Sequence, residues 1–489
     1  MDIMPLDLLT DDVLKKITFI NIIKLNVSNN PKITDVSFMK NLKILDASAD
    51  CGIDQNGIEG LDLVELDVSH NPRIINVSFM KNLKILDASG LSCRIDQNGI
   101  EGLDSVELDV SGNPRITNVS FMKNLRILNA NDYCGIDQNG TKGLDLVELY
   151  VSYNPLITNV SLMKNLRILN ANGYCGIDQN GIEGLDLVEL YVSNNPGITN
   201  VSFMKNLRIL NANGCCGIDQ NGIEGLDLVE LTVSYNSKIT NLSFMKNLRI
   251  LDAGDCGHSC GIDQNGINGL DLVELDVSHN PKITNVSFMK NLKILNASGP
   301  DCGIDQNGIN GLDLVELDVS GNPTITNVSF MKNLRILNAI RGSGIDQNGI
   351  EGLDLVKLYV SGNPKITNVS FMINLRILYA SNDCGIDQNG VEGLDVVKLY
   401  VRYNPKITDV SFMKNLRILD ASGNCGIDQN GIEGLDLVKL YISCNPKIIN
   451  ISFMKNLKKL DARDDCGINQ YSKIVCQDKQ LSPPRISND

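Results

Sequence analysis

The chain has 489 residues, of which 21% are charged, and a formal net charge of -14. This excess of acid disfavours a nucleic-acid backbone as the main partner, because phosphate binding needs clustered Lys and Arg. Residues 1–7 carry acids where a signal peptide needs bases, and no apolar run reaches membrane-spanning length. We therefore expect an intracellular, cytoplasmic protein that contacts no membrane.

A short amphipathic helix is predicted near the start of the chain, in Pro5-Leu-Asp-Leu-Leu-Thr-Asp-Asp-Val-Leu-Lys-Lys-Ile17. We assign residues 1–20 to an N-terminal helical cap, because the first coil of a repeat array needs covering. The segment also resembles the opening of an F-box, the module that docks substrate receptors onto ubiquitin ligases. The first strand is predicted near Ile22, which leaves too little chain for the rest of an F-box.

An internal repeat occupies residues 21–466. Its marker, Asn-Pro, recurs every 41 or 42 residues, except around Asn236-Ser237, after which the next step is 44 residues. Such self-similarity at a fixed period predicts one repeat array rather than several globular domains. The remaining residues, 467–489, lack the repeat and are expected to form a C-terminal cap or a mobile tail.

Each repeat consists of two coils, such as residues 63–82 and 83–103. Both resemble the leucine-rich repeat, L-x-x-L-x-L-x-x-N/C-x-L, which recurs 22 times along the chain. The stretch Ile-Thr-Asn-Val-Ser-Phe-Met-Lys-Asn-Leu is similar to the short-repeat subclass of phosphatase regulators and internalins. The resemblance implies an α/β, β-rich repeat solenoid: a curved horseshoe or arc with a parallel sheet on its concave face, built from 11 two-coil units.

The repeated residues are interpreted mainly as scaffold. Alternation along a strand sends Leu66 and Val68 into the coil and leaves Glu65 and Asp67 outside. Ten of the 11 Phe residues form one column and 11 of the 13 Met residues form the next. We predict that both columns belong to the solenoid core. The buried Asn at the ninth position, such as Asn71, is predicted to bond the backbone of its turn.

The cysteines form a column of their own. Neighbours in it are two coils apart, about 10 Å at the usual strand spacing, whereas a disulfide needs Cα atoms within about 7 Å. We therefore predict buried thiols. Asn-X-Ser also recurs along the array and is interpreted as a turn rather than a row of glycosylation sites. The cysteine column comprises Cys51, Cys93, Cys134, Cys175, Cys216, Cys260, Cys302, Cys384, Cys425 and Cys466.

Metal binding and catalysis receive little support from the motifs. The recurrent Gly-Ile-Asp-Gln-Asn-Gly lacks the ligand order and length of a calcium loop and predicts a turn. One insertion, Cys256-Gly-His258-Ser-Cys260, leaves a zinc site open as an alternative, although its spacing differs from that of zinc fingers. No nucleophile pair, phosphate loop or dinucleotide fingerprint is present. We expect no enzyme activity and no cofactor.

The outward strand positions change along the array and predict where a partner binds. They are first acidic, as in Glu65 and Asp67, and later carry lysine and tyrosine. Tyrosine beside a cation is enriched where interfaces gain their energy. The alternative is drift among solvated residues. The predicted partner-binding residues are Lys357, Tyr359, Tyr379, Lys398, Tyr400, Lys439 and Tyr441.

These observations predict a non-catalytic protein–protein interaction scaffold that binds a protein on its concave face. Nucleic acid, membrane and small-molecule substrates are not expected as partners. Two alternatives remain: an F-box-like substrate receptor of a ubiquitin ligase, which would use residues 5–20, and an internalin-like surface adhesin.

Overall fold

The computed structural model describes residues 10–16, 21–254 and 260–468. The chain divides into two compact units, Met1–Ile239 and Thr240–Asp489, and each holds eleven of the described strands. In both units every coil contributes one three-residue strand, and consecutive strands pair in parallel. The predicted leucine-rich-repeat solenoid with a parallel sheet is confirmed.

The strands of the first unit, β1–β11, are Lys24–Asn26, Ile44–Asp46, Glu65–Asp67, Ile85–Asp87, Glu107–Asp109, Ile127–Asn129, Glu148–Tyr150, Ile168–Asn170, Glu189–Tyr191, Ile209–Asn211 and Glu230–Thr232. Those of the second unit, β12–β22, are Ile250–Asp252, Glu274–Asp276, Ile294–Asn296, Glu316–Asp318, Ile336–Asn338, Lys357–Tyr359, Ile377–Tyr379, Lys398–Tyr400, Ile418–Asp420, Lys439–Tyr441 and Lys459–Asp461.

In the register of the sheet, residues at the same strand position lie opposite each other on neighbouring strands. Leu190 of β9 pairs with Leu210 of β10, and both side chains are fully buried. Because side chains alternate across a strand, the residues on either side of the central leucine point away from the coil interior. The first and third residues of each strand therefore form the outer face of the sheet, which is the face where the partner residues were predicted.

The Asp-Gln-Asn-Gly segment forms the predicted turn. Asp54 Oδ1 accepts hydrogen bonds from the N–H groups of Asn56 (2.9 Å) and Gly57 (3.1 Å). In one repeat the turn is a four-residue helix, Gln388–Val391, capped by Asp387. The carboxylate of the recurrent aspartate therefore accepts hydrogen bonds from backbone N–H groups of its own turn. Eight further turns are 3-10 helices, at Asn56–Ile58, Asn98–Ile100, Asn180–Ile182, Asn221–Ile223, Asn265–Ile267, Asn307–Ile309, Asn348–Ile350 and Asn430–Ile432. The turn at residues 138–143 is not helical.

Two polar columns join successive coils. Asn71 is fully buried, and its Nδ2 donates to the carbonyl oxygens of Ala47 (2.8 Å) and Ile53 (3.2 Å). Its Oδ1 accepts from the N–H of Arg73 at 2.8 Å. Gln97 bonds the next coil through both its oxygen and its amide nitrogen. The predicted role of the ninth-position asparagine is confirmed: it satisfies buried backbone groups.

The cysteine column is largely buried, as predicted. Cys175 and Cys466 are half-buried, and the other eight members of the column are buried. Burial raises the pKa of the Cys93 thiol to about 11, so the group stays protonated at neutral pH. The eleven cysteines other than Cys260 within the described residues are free thiols.

The phenylalanine column, in contrast, was wrongly assigned to the core. Met80 is fully buried, but Phe79 exposes 40% of its surface. The reason is a tight turn in which the Met80 N–H donates to the Val77 carbonyl at 3.0 Å. With Val77 and Met80 both directed inward, Phe79 lies at the corner of the turn and faces solvent. The methionine half of the prediction is confirmed.

A short helix, α1 (Asp11–Lys16), packs on the first coil. Leu14 is 1% exposed, and Asp11 Oδ1 accepts from the N–H groups of Thr34 (2.8 Å) and Asp35 (3.3 Å). Between later coils a glutamine oxygen accepts the same pair of backbone bonds, as Gln97 Oε1 does from the N–H groups of Thr117 and Asn118. The helix α1 therefore makes the contacts expected of a cap. The rest of the predicted cap, and tail residues 469–489, lie outside the described residues.

The domain boundaries and the F-box resemblance stay predictions. Within the described parts of the chain, no helix is long and apolar enough to cross a membrane.

Candidate partner-binding surface

The outer face of the sheet consists of two rows of side chains. Residues at the same strand position stand about 4.8 Å apart from one strand to the next. The first and third positions of one strand are about 7 Å apart. In β7, Glu148 and Tyr150 occupy these positions and are both half-buried, on either side of the buried Leu149. Each row therefore presents a continuous line of side chains across the strands.

In the first unit the first-position row begins with Lys24 and then alternates between apolar and acidic residues from β2 to β11. Glu148 of β7 and Glu189 of β9 lie on either side of Ile168 of β8. The isoleucines were missed because the outward residues had been compared mainly between first coils. The same position in the second coils would have revealed them. The row reads Lys24, Ile44, Glu65, Ile85, Glu107, Ile127, Glu148, Ile168, Glu189, Ile209 and Glu230.

In the second unit lysine replaces glutamate from β17 onward. Ile377 lies between Lys357 and Lys398 in the sheet register. Lys459 extends the row at β22 and was also missed, because it belongs to a second coil. The row reads Ile250, Glu274, Ile294, Glu316, Ile336, Lys357, Ile377, Lys398, Ile418, Lys439 and Lys459.

Three of the predicted tyrosines form a continuous stack. The ring centroids of Tyr359 and Tyr379 are 4.6 Å apart, and those of Tyr379 and Tyr400 are 4.1 Å apart, with nearly parallel planes. The rings stack because they lie directly opposite one another on adjacent strands. Burial, together with the neighbouring Tyr379 hydroxyl, raises the pKa of Tyr400. The Tyr400 hydroxyl therefore remains protonated at neutral pH.

The last predicted pair, Lys439 and Tyr441, is separated from the stack by β20. That strand places Ile418 and Asp420 on the outer face. Asp420 Oδ1 accepts from the N–H of Ser422 at 3.0 Å, so one carboxylate oxygen is held by the backbone. Beyond Tyr441, the Lys459 ammonium lies 5.5 Å from the centre of the tyrosine ring. We call the seven predicted residues, which all lie on this outer face, the Lys/Tyr surface.

The first unit contains matched tyrosines in an acidic setting. Tyr150 and Tyr191 each donate their hydroxyl to the glutamate of the same strand, Glu148 at 2.9 Å and Glu189 at 3.0 Å. Burial and these carboxylates raise the pKa of each tyrosine to about 12. In the Lys/Tyr surface, lysine stands where that carboxylate would be. The exchange of Glu for Lys therefore removes the acceptor and adds a positive charge.

The third-position row of the first unit begins with Asn26 and is acidic over the next four strands. Asp46, Asp67, Asp87 and Asp109 succeed one another on β2–β5. Burial, with smaller effects from Asp109 and Asp67, raises the pKa of Asp87 to about 6. The run ends at Asn129, whose Nδ2 donates to Asp109 Oδ2 at 2.7 Å. Charge on the outer face thus differs clearly between its acidic and its Lys/Tyr portions.

Metal and catalytic sites find little support in the part of the chain that the structure describes. No group of three or more His, Cys, Asp or Glu residues there is placed to hold a metal ion. Of the candidate zinc ligands, Cys260 is buried, and Cys256 and His258 lie outside the described residues.

Two other polar features involve none of the Lys/Tyr surface residues. His279 Nδ1 lies 2.8 Å from Asp301 Oδ1. A surface cleft of about 370 Å³ near β16–β18 is lined by Arg335, Asp354, Val356, Asn374 and Arg376.

Comparison with known proteins gives a likeness in fold. No family model matches the chain, and no curated protein matches it. A crystal structure of a TLR13–ssRNA13 complex is similar, with a TM-score of 0.52 and 20% identity. The match covers 88% of this chain and 72% of that one. At this identity the likeness supports the leucine-rich-repeat solenoid and leaves the predicted subclass a prediction.

Proposed function

We propose that this protein is a non-catalytic scaffold that binds a protein partner through the Lys/Tyr surface. The observation that carries the proposal is the stack of Tyr359, Tyr379 and Tyr400 beside Lys357 and Lys398. Aromatic residues are enriched at interface positions that contribute most to binding, because they bury a large area at low entropic cost. The leucine-rich-repeat fold itself suits such a role, since its stacked coils form an extended surface.

A protein partner is favoured over RNA by the charge of the outer face. The similar TLR13 structure is a complex with ssRNA13. In this chain Glu274 and Glu316 continue the row that leads to Lys357. A nucleic-acid backbone is negatively charged along its whole length, so one longer than the Lys/Tyr surface would be repelled by these carboxylates. A protein segment can instead carry its acidic residues only opposite the lysines.

The proposal is tested by capture of partners from the native cell. The bait is the full chain, and three forms are compared: wild type, Tyr359→Ala/Tyr400→Ala/Tyr441→Ala, and the control Tyr150→Ala/Tyr191→Ala. We expect the triple variant to lose the captured protein by about tenfold or more, as for interface residues that dominate binding. The control should retain it, because its tyrosines lie in the acidic setting.

Circular dichroism must show that each variant is folded before capture is compared. Retention of the same partner by the folded triple variant contradicts the proposal. Equal loss from the control also contradicts it, because the Lys/Tyr surface would then have no special role. Recovery of RNA in place of protein from the wild type rejects the protein partner.

A further inference from the structure

We infer that the Lys/Tyr surface binds an extended acidic segment of its partner, in polyproline II conformation, with a carboxylate at every third residue. This inference rests on the proposed function and names the chemistry of the partner. It follows from the spacing of the lysines, from the residues between them and from the tyrosine row beside them.

The lysines repeat with the period of two strands. Lys357, Lys398 and Lys439 occupy the first positions of β17, β19 and β21. Two strand spacings amount to about 9.6 Å. A polyproline II helix has three residues per turn and rises 3.1 Å per residue, so every third side chain returns to the same side after about 9.3 Å. Carboxylates at every third residue therefore stay in register with all three lysines.

Other regular conformations fit the lysine row less well. In an extended β-strand the third residue is about 10 Å away but points to the opposite side. An α-helix brings residues seven apart onto one side at about 10.5 Å. Over the two intervals between three lysines the helix is out of register by about 1.8 Å, against about 0.6 Å for polyproline II. The observed spacing thus favours the polyproline II segment.

The rest of the surface suits the other sides of such a segment. Ile377 and Ile418 stand between the lysines and offer half-buried apolar contacts. The stacked rings of Tyr359, Tyr379 and Tyr400 lie one row away, about 7 Å along the strands. With threefold symmetry, one line of side chains faces the lysines, a second faces the tyrosines and a third faces solvent.

Charge restricts the segment to this part of the outer face. The strands β7 and β9 carry the same tyrosine but have Glu148 and Glu189 where the Lys/Tyr surface has lysine. An acidic segment would therefore be repelled there, although the scaffold is the same. These two strands also show that the sequence Glu-Leu-Tyr is compatible with the fold. The substitutions Lys357→Glu, Lys398→Glu and Lys439→Glu reproduce that sequence and are expected to fold.

The test uses the full chain and two labelled peptides of equal composition. The periodic peptide has four glutamates separated by Pro-Pro, and the grouped peptide has the same four glutamates together between proline triplets. Fluorescence anisotropy at low salt should show the periodic peptide binding about tenfold more tightly than the grouped peptide. The reason is that each ion pair that the grouped peptide cannot form lowers its affinity by up to about fivefold. The triple Lys→Glu variant should weaken its binding by about tenfold or more, and added salt should weaken it further.

Several results would overturn the inference. Equal affinity for the two peptides would mean that only net charge matters. Tighter binding of a helical peptide with glutamates seven residues apart, or of an oligouridylate, would assign the surface to another ligand. Self-association of the wild type that is lost in the Lys→Glu variant would assign it to a second copy of this chain. If the periodic peptide does not bind but native partner capture still depends on the tyrosines, the inference fails and the proposed function stands.

Discussion

Replacement of Asn363 by alanine should destabilise its coil far more than replacement of Asn368, although both asparagines belong to the same repeat. Asn363 is 1% exposed, and its Nδ2 donates to the carbonyl oxygens of Ala339 (3.0 Å) and Ile345 (3.2 Å). Its Oδ1 accepts from the N–H of Lys365 at 3.0 Å. The alanine variant leaves these three backbone groups without their partner inside the coil.

Each such group costs about 1 kcal/mol or more, so the total is about 3 to 5 kcal/mol. Asn368 is exposed, and its side chain accepts hydrogen bonds only from the nearby Ser370, where water can replace it. We expect its alanine variant to lose less than about 1 kcal/mol. The contrast follows from burial, since the two substitutions remove the same chemical group.

Hydrogen exchange followed by mass spectrometry measures this difference locally, which suits a repeat array whose unfolding need not be two-state. In Asn363→Ala, amides in residues 339–366 should exchange about 100-fold or more faster than in the wild type. In Asn368→Ala they should change by less than about tenfold. Equal acceleration in both variants, or unchanged exchange in Asn363→Ala, would refute the role assigned to the buried asparagines.

Three further predictions concern residues outside the Lys/Tyr surface. Because Cys93 is buried with its pKa raised to about 11, iodoacetamide at pH 8 should modify exposed Cys215 while leaving Cys93 intact until unfolding; equal rates in the folded protein would contradict this. Burial raises the pKa of Asp87 to about 6, so the ionised carboxylate disfavours folding. The contribution of Asp87 to the free energy of unfolding therefore declines as pH rises through about 4 to 6. Asp87→Asn should therefore raise the urea midpoint at pH 7, with a smaller gain at pH 4; a larger gain at pH 4 would reverse the sign of this argument. Asp11→Ala should speed amide exchange at residues 34 and 35, whereas Asp11→Gln should preserve protection because glutamine makes these bonds between later coils; equal exchange in both variants would argue against capping by this side chain.

The fold could be predicted from the sequence because the same constraints recur in every repeat. Leu66 and Val68 point inward, Asn71 bonds buried backbone and the segment that contains Asp54 forms a turn, as the pattern indicated. Phe79 was misjudged because its hydrophobicity was weighed without the geometry of the turn. A turn between two inward residues must expose its corner, whatever side chain stands there.

The candidate surface was predicted less completely. Tyr359, Tyr379 and Tyr400 were identified as outward residues, but their stacking depends on the register between strands. Pattern comparison within first coils also missed Ile377 and Lys459, because the alternate strands come from second coils. The physical reason is that a surface joins neighbours in space, whereas the repeat aligns residues about 41 positions apart.

The central claim is that partners contact the Lys/Tyr surface and not the equivalent acidic strands. It is tested most directly by photo-crosslinking in the native cell, with a photoreactive residue in place of Ile377 or, as a matched control, Ile168. Both isoleucines occupy the first position of a second-coil strand, between two lysines in one case and two glutamates in the other. We predict a protein adduct from position 377 and none of that protein from position 168. The same adduct from both positions, or from position 168 alone, would contradict the account.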